Sequence, residues 1–304
     1  MEDRVILQSM STENIVVQGG VVIYNPTAGR GQGAILLDKA KKYLGSDFTW
    51  IPTTHSGHAT ALAKEYAGKV PTIVAFGGDG TVGDVARGLY GTDTNLGVIP
   101  AGTGNDFARN LGIPLDLEQA CLAINGGTIR FVDVGTLKGS IFVNNMGIGF
   151  DSQVMKTMNS SVKFIRGKPA FFLAILKSIF VYKPFTLTVE TEDGKREFKD
   201  TLLLSVLNGR MYAAGMLAAP QAEVDDGRMD IMVVSNIRPL ARLGLLMLVQ
   251  RGHHINDPRV TMLQARHIKL SAIPIQELNI DGEVRGNTPC DIDVIGRSLR
   301  VLIR

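Results

Sequence analysis

An apolar run, Thr72-Ile73-Val74-Ala75-Phe76, stops on Gly77-Gly78-Asp79-Gly80-Thr81, and no other stretch restricts the fold as sharply. Five apolar or β-branched residues in succession, without polar alternation, predict a strand buried on both faces, as in a parallel sheet. The glycines that follow permit positive φ and let backbone amides approach a ligand closely, as a phosphate cradle requires. Thr81 is expected to open a helix over 82–89 that aims its positive end at the same place. An acid in such a turn does not itself receive phosphate. Asp79 therefore points to a magnesium ion, direct or water-bridged, or to proton handling. Taken alone, the turn is also compatible with an ordinary strand-to-helix connection and a capping aspartate.

Around this turn the chain alternates. Strands are expected at 21–25, 48–52, 72–76 and 95–99, and helices at 32–44, 58–67, 82–89, 106–110 and 117–125. That order predicts an α/β domain over 21–133, a parallel sheet with helices on both faces and a ligand site at the strands' carboxyl ends. After residue 130 the texture becomes strand-like at 131–137, 140–145, 185–190, 201–207, 229–235, 268–271, 276–280, 291–295 and 299–303. Asp193-Gly194 marks a hairpin there, and apolar runs predict helices near 162–180 and 238–250. Residues 134–304 thus read as a mostly antiparallel β domain whose last strand returns toward the first. Residues 1–20 read as an extension, native or left from expression.

Three further stretches carry chemistry. In Asn25-Pro26-Thr27-Ala28-Gly29-Arg30-Gly31, glycines alternating with Arg30 between a strand and a helix form an anion nest beside a cation. In Gly102-Thr103-Gly104-Asn105-Asp106, Thr103 offers a hydroxyl to phosphate, and Asp106 either caps the next helix or joins Asp79 around magnesium. In Asp281-Gly282-Glu283, a carboxylate on a rigid turn suits removal of a proton from an alcohol, or belongs to an exposed hairpin. Val224-Asp225-Asp226-Gly227 reads as a magnesium loop or a plain β-turn. His55, His58, His253 and His254 lack the further ligands that a zinc site needs. Cys121 and Cys290 read as packing residues in a reducing cytoplasm.

These motifs, in this order, resemble the catalytic domain of the diacylglycerol kinase family of lipid kinases, including its soluble bacterial members. The resemblance covers the chain from Val21 onward. It implies an NAD kinase/diacylglycerol kinase-like α/β domain followed by a β-sandwich-like domain, with the active site in the cleft between them. It further implies ATP as phosphoryl donor with Mg2+, and a hydroxyl of a diacylglycerol-like lipid as acceptor. Carried over residue by residue, it assigns nucleotide contacts to Asn25, Gly29, Arg30, Gly31, Thr53, Gly78, Asp79, Gly80, Thr81, Asp84 and Thr103. Thr53 enters through its spacing from His58-Ala59. Asp79 and Asp106 organise magnesium and water, and Glu283 is the base. A metal is implied at Asp226, with carbonyls of Glu223 and Arg228. Asp133 has a counterpart in the family and is expected where the domains join, in a structural role. One departure is plain: Gly83-Asp84 stands where the family has Asn-Glu. Two other readings remain, an NAD kinase-like enzyme, which also uses a Gly-Gly-Asp-Gly turn, and a non-catalytic lipid or nucleotide sensor.

Composition narrows the partners. With 32 basic against 29 acidic residues, nothing favours nucleic acid. The most apolar late stretch, 169–182, carries Lys177 and falls short of the ~20 residues of a spanning helix. A lipid is therefore expected to be met by a cytoplasmic protein at the membrane surface, in phospholipid metabolism, with a homodimer possible. The 169–182 stretch, with Phe172 and Phe180 and with Lys163, Arg166, Lys168, Lys177 and Lys183 around it, reads as an interfacial element or a buried core helix.

Overall fold

The computed structural model describes residues 13–14, 17, 19–28, 33–161 and 168–304. In chain order the first half comprises β1 (Glu13–Asn14), β2 (Gly20–Tyr24), α1 (Gly33–Leu44), β3 (Phe48–Pro52), α2 (His58–Tyr66), β4 (Thr72–Gly77), α3 (Asp79–Leu89), β5 (Asn95–Pro100), α4 (Asp106–Asn110) and α5 (Leu117–Asn125). All of β4 is buried, as its unbroken apolar run requires. It pairs in parallel with β2 on one side and β5 on the other, and β3 lies in parallel outside β2. Side chains alternate between two layers. Ile23, Ala75, Val85, Leu89 and Phe107 pack together on one side, and Val22, Val74, Phe76, Cys121 and Ile124 on the other. Helices thus cover both faces, and the second and third glycine motifs leave the same sheet edge as Asn25, which follows β2.

The second half comprises β6 (Thr128–Leu137), β7 (Ser140–Phe142), β8 (Asn145–Gly149), α6 (Phe150–Ser161), α7 (Lys168–Val181), β9 (Phe185–Thr191), β10 (Gly194–Leu207), β11 (Met211–Tyr212), β12 (Met216–Leu217), β13 (Met229–Ser235), α8 (Pro239–Gln250), β14 (Val260–Ala265), β15 (His267–Ile273), β16 (Glu277–Ile280), β17 (Glu283–Asn287) and β18 (Cys290–Ile303). Except for the short pair β11–β12, the strands continue the first sheet. The join is β18: Val301 lies in parallel opposite Leu96 of β5, while the rest of the strand runs antiparallel to β6 and β15. Phe142, Met146, Leu187, Leu204, Ile231 and Leu278 form the core of this antiparallel part.

Several expected boundaries move, each for a physical reason. Helix α3 opens at Asp79 rather than Thr81, because Gly78 takes the extended N-cap conformation. The strand expected over 140–145 is broken in two, since the amides of Val143, Asn144 and Asn145 go to the carboxylate of Asp281 and so are lost to the ladder. The strands expected at 291–295 and 299–303 are one, β18, with a register shift between Ile295 and Leu299. At that shift the Arg297 amide donates to Asp133 Oδ1. Helix α6 has no counterpart in the sequence reading, and α7, Lys168–Val181, overlaps the helix expected at 162–180 from residue 168 to 180. Ala174, Ile175 and Ile179 of α7 are buried while Leu173 and Val181 are exposed, so this helix is partly core. Lys163 and Arg166 lie outside the described residues, as do the side chains of Lys168, Phe172 and Phe180.

Candidate active site

At the carboxyl ends of β2, β3 and β4 a cavity of about 510 Å³ is lined by Asn25, Thr53, Gly78, Gly80, Thr81 and Asp84, among others. Six of the residues expected to meet a nucleotide are thereby brought together. Asn25 shapes its own turn: Oδ1 accepts from the Thr27 amide at 2.9 Å and the Thr27 hydroxyl at 2.8 Å. The Thr53 amide donates to the carbonyl of Tyr24, which fixes the two loops side by side. The glycines are required by crowding. A Cβ on Gly77 would stand 2.6 Å from Thr81 Cβ, and one on Gly78 would stand 3.1 Å from the Cα of Gly102, so the second and third motifs touch backbone to backbone. Gly29, Arg30 and Gly31 lie outside the described residues. His55 and His58 stack at 4.8 Å, and Thr54 donates its amide to His58 Nδ1, a helix-end arrangement.

Next to this cavity, a cleft of about 290 Å³ is lined by Asp79, Thr103, Asp106, Asn145, Asn279 and Asp281, among others. Thr103 faces this cleft rather than the first cavity. Asp79 does not cap its own helix; its Oδ1 accepts from the Phe107 amide at 3.1 Å, in the first turn of α4. Asp106 reaches across to the second half, where its oxygens accept from the amides of Ala214 at 2.9 Å and Gly215 at 2.8 Å. Asp106 does not cap its own helix, whose N-cap residue is Asn105. A Cβ on Gly104 would lie 2.9 Å from Asp79 Oδ2 and 3.4 Å from Asp106 Oδ2, so both carboxylates flank one glycine. Asn105 makes this possible by adopting φ 54° and by clasping Gly102, accepting from its amide and donating to its carbonyl. Burial raises the pKa of Asp79. Burial, and then the neighbouring Asp79 carboxylate, push Asp106 up to about 6.

The far wall of the cleft separates two acids that share one turn. Asp281 is a structural group: its carboxylate accepts from the amides of Val143, Asn144 and Asn145 at 3.0, 2.9 and 3.1 Å, with Arg87 Nη1 at 3.9 Å. Glu283 is exposed and faces Arg285 across 3.8 Å, one residue beyond Gly282, which lines the cleft. Gly83 explains itself here. Its missing side chain leaves room for Arg87, which also pairs with Asp84, so the departure from Asn-Glu builds an Asp84–Arg87–Asp281 chain between the two cavities.

Sequence reasoning missed three features. Arg87 is one. The second is a buried triad in which Tyr212 donates its hydroxyl to Asp151 Oδ1 while Asn279 Nδ2 donates to Asp151 Oδ2 at 2.8 Å. The third is the loop at 213–215, with positive φ at Ala213, Ala214 and Gly215. The partners of the triad and of the loop lie 61 to 128 positions apart, and Arg87 reaches Asp281 from a distant element, so no local spacing announces them.

Away from the cleft, Asp133 is fully buried and accepts from the amides of Gly227 and Arg297, each at 2.6 Å. It clamps the acidic turn to the register shift of β18. In that turn Asp225 forms a two-bond pair with Arg130, and Asp226 Oδ1 accepts from the Arg228 amide at 2.9 Å. The turn, Glu223 included, shares no lining residue with either cavity. Among the described residues no cluster of three or more His, Cys, Asp or Glu is arranged to hold a metal. Cys121 and Cys290 are buried and unpaired.

The chain is similar to known proteins over both halves. Residues 19–137 match the diacylglycerol kinase catalytic domain. Residues 144–303 match the YegS C-terminal NAD kinase beta sandwich-like domain. A diacylglycerol kinase of Bacillus subtilis (strain 168) is 33% identical over 292 residues, covering 93% of this chain and 95% of the relative. A diacylglycerol kinase of Staphylococcus aureus (strain MRSA252) is 32% identical over 291 residues, covering 92% and 90%. Two solved chains from Bacillus anthracis str. Sterne superpose with TM-scores of 0.78 and 0.72 at 28% and 25% identity. They cover 95% of this chain in both cases and 98% and 97% of their own lengths, and the second bears the name diacylglycerol kinase.

Proposed function

The chain belongs to the diacylglycerol kinase family, and on that premise we propose that it transfers the γ-phosphoryl group of ATP to a hydroxyl of a diacylglycerol-like lipid, with magnesium. The observation that carries this reading is the adjacency of the two cavities. The larger is rimmed by glycine backbone and hydroxyls, which suit phosphates. The smaller is lined by Asp79 and Asp106, and Asp79 stands in the chain between Gly78 and Gly80, which line the larger. The fit to magnesium rests on the chemistry of the acids: Asp106, pushed up to about 6 by burial and then by the Asp79 carboxylate, makes with Asp79 a pair that a divalent cation between or beside them would stabilise. When bound, that cation would neutralise charge on the phosphates.

The chain's own residues do the rest. Amides at the start of α3 receive the phosphates, Thr103 orients them from the cleft side, and Glu283 accepts the proton of the lipid hydroxyl as the new P–O bond forms. Asp281 and Arg87 hold the wall on which that hydroxyl rests. Asp226, with carbonyls of Glu223 and Arg228, is proposed to bind a second, structural cation that stiffens the turn clamped by Asp133. No helix among the described residues is long and apolar enough to cross a membrane, so we place turnover at the membrane surface. The test is transfer of labelled phosphate from ATP to a panel of diacylglycerol, phosphatidylglycerol, sphingoid base and NAD, with products identified by mass spectrometry. Phosphatidic acid as the main product supports the proposal; label only in NAD, or nucleotide binding without transfer, overturns it.

A further inference from the structure

Arg87 of α3 lines neither cavity, yet it faces an acid from each: Asp84 borders the larger cavity and Asp281 the cleft. Its Nη2 donates to Asp84 Oδ1, whereas its Nη1 lies 3.9 Å from Asp281 Oδ2, too far for a hydrogen bond. That nitrogen is buried and has no hydrogen-bond partner among the described residues. The acceptor opposite has capacity to spare. Asp281 Oδ1 takes the amides of Asn144 and Asn145, but Oδ2 takes only that of Val143. An unspent donor and an under-used acceptor thus face each other across the boundary between the two halves, and an unpaired buried donor is costly. Gly83 keeps the gap open, since a Cβ there would lie 3.4 Å from Arg87 Nη1 and 3.4 Å from Asp281 Oδ2. Asp84 is tied to the first half, where the Thr60 hydroxyl of α2 donates to its carbonyl at 2.8 Å. An approach of about 1 Å between the halves turns the open gap into a charge-assisted hydrogen bond.

We propose that Arg87 is a positioning residue. Nucleotide held against Asp84 draws the halves together, the Arg87–Asp281 bond closes, and the closed bridge fixes the turn from which Glu283 works. The proposal rests on the lipid kinase reading. A guanidinium suits the task because its two terminal nitrogens serve two carboxylates at once, whereas lysine offers a single point charge. The departure at Gly83 belongs to the same device. An asparagine there, as in the family, would extend its side chain into this gap; here the guanidinium reaches the gap from one turn further along α3.

Hydrogen exchange tests the bridge without any turnover. With magnesium and the non-hydrolysable ATP analogue AMP-PNP, saturating by calorimetry, the amides of Val143, Asn144 and Asn145 that Asp281 holds are expected to exchange about tenfold more slowly in the wild type, as one added hydrogen bond allows. In Arg87→Ala the analogue is expected to change their exchange by less than about twofold. Arg87→Met, which keeps most of the bulk, takes its place if thermal melting shows the alanine variant unfolded. In the same variant kcat for 1,2-dioctanoylglycerol is expected to fall by about ten- to a hundredfold, the scale of a misplaced reacting group. Adding Gly83→Asn to Arg87→Ala puts an amide into the gap and is expected to restore both the exchange response and kcat, which mere loss of packing would not allow. A response lost in Arg87→Ala, with no lipid phosphorylated by the wild type, keeps the bridge and sinks the kinase. Diacylglycerol phosphorylated at the wild-type kcat by folded Arg87→Ala, with an unchanged exchange response, overturns the bridge and leaves the kinase standing. A double variant no better than Arg87→Ala also overturns it, because the missing group is then not a donor in that gap.

Discussion

The proposed nucleotide side and the proposed acceptor side of the cleft are built by opposite means. On the nucleotide side the ligand-facing groups are short loops that follow strands β2, β4 and β5, and their working parts are backbone amides, hydroxyls and glycines set close in sequence. On the acceptor side the groups are side chains from distant strands and helices: Asp151 from α6, Tyr212 from β11, Asn279 from β16 and Asp281 from the turn after it. Backbone packed this closely leaves a conspicuous local signature, since a Cβ on Gly77 would stand 2.6 Å from Thr81 Cβ and one on Gly78 3.1 Å from the Cα of Gly102. A wall assembled by sheet topology leaves none.

The first way to break this contrast is to remove the acid where the two sides meet. Asp79→Ala is expected to lower phosphoryl transfer by about 10³-fold or more, since positioned charge at a transferring phosphoryl group is worth that order. It also removes the acceptor of the Phe107 amide, a cap worth about 1 kcal/mol, so the melting temperature should fall by a few degrees with the fold intact. Turnover that survives in a folded variant would mean that the acid pair is scaffolding and that the chemistry lies elsewhere.

Next comes the turn that holds both a structural acid and the proposed base. Glu283→Gln is expected to slow transfer by about 10²-fold or more while ATP affinity, followed by titration calorimetry, and melting stay near the wild type. Asp281→Ala is expected to do the reverse first. It leaves three buried amides unpaired, each costing about 1–3 kcal/mol, so chemical denaturation should show a loss of several kcal/mol before any kinetic effect is interpretable. Normal turnover in Glu283→Gln with a purely kinetic loss in Asp281→Ala would assign the proton to Asp281.

How far the sequence could be read follows from the same contrast. The parallel half was legible almost strand by strand, because burial on both faces writes an apolar run such as 72–76, and glycine turns punctuate it. The nucleotide residues Asn25, Thr53, Gly78, Gly80, Thr81 and Asp84 do line one cavity. In the antiparallel half most strands were legible from their patterns. The break between β7 and β8 was not, since it is caused by Asp281, more than 130 residues away. Helix α6 begins directly at the end of β8, at Phe150 after Gly149, with no glycine-rich loop or proline to mark the change. Arg87 and Tyr212 carry no motif at all; their importance is set by what the fold brings opposite them.

A smaller effect sharpens the acceptor side. Tyr212→Phe keeps the ring that walls the cleft but removes the hydroxyl that donates to Asp151. Asp151 is then left buried with Asn279 as its remaining partner, at an expected cost of about 1–3 kcal/mol in stability. Transfer should fall only several-fold, mainly through KM for lipid, because no proton or phosphoryl group passes through this residue. A loss as large as that of Asp79→Ala would move the chemistry across the cleft.

The smallest effect is one of pH, and it probes the direct carboxylate link from the third glycine motif to the 213–215 loop. Asp106 is raised from 3.8 to about 6 by burial and by Asp79. Between those values the folded protein holds a proton that the unfolded chain has released, so Asp106 contributes stability that is fully present below about 4 and is lost as pH rises through about 6. Asp106→Asn removes this dependence and adds a pH-independent penalty for the amide it can no longer accept. The stability of the wild type minus that of the variant should therefore become less favourable from pH 4 to pH 7, by at most about 3 kcal/mol. Asp230, also raised to about 6, is present in both proteins and cancels in the difference. Magnesium and ATP select the ionised carboxylate, so with both present the trend should shrink or reverse, and kcat/KM of the wild type should rise through an ascending limb near pH 6. A flat difference without ligand would show that the Ala214 and Gly215 amides already stabilise the charge, leaving the two halves of the cleft with no titrating link.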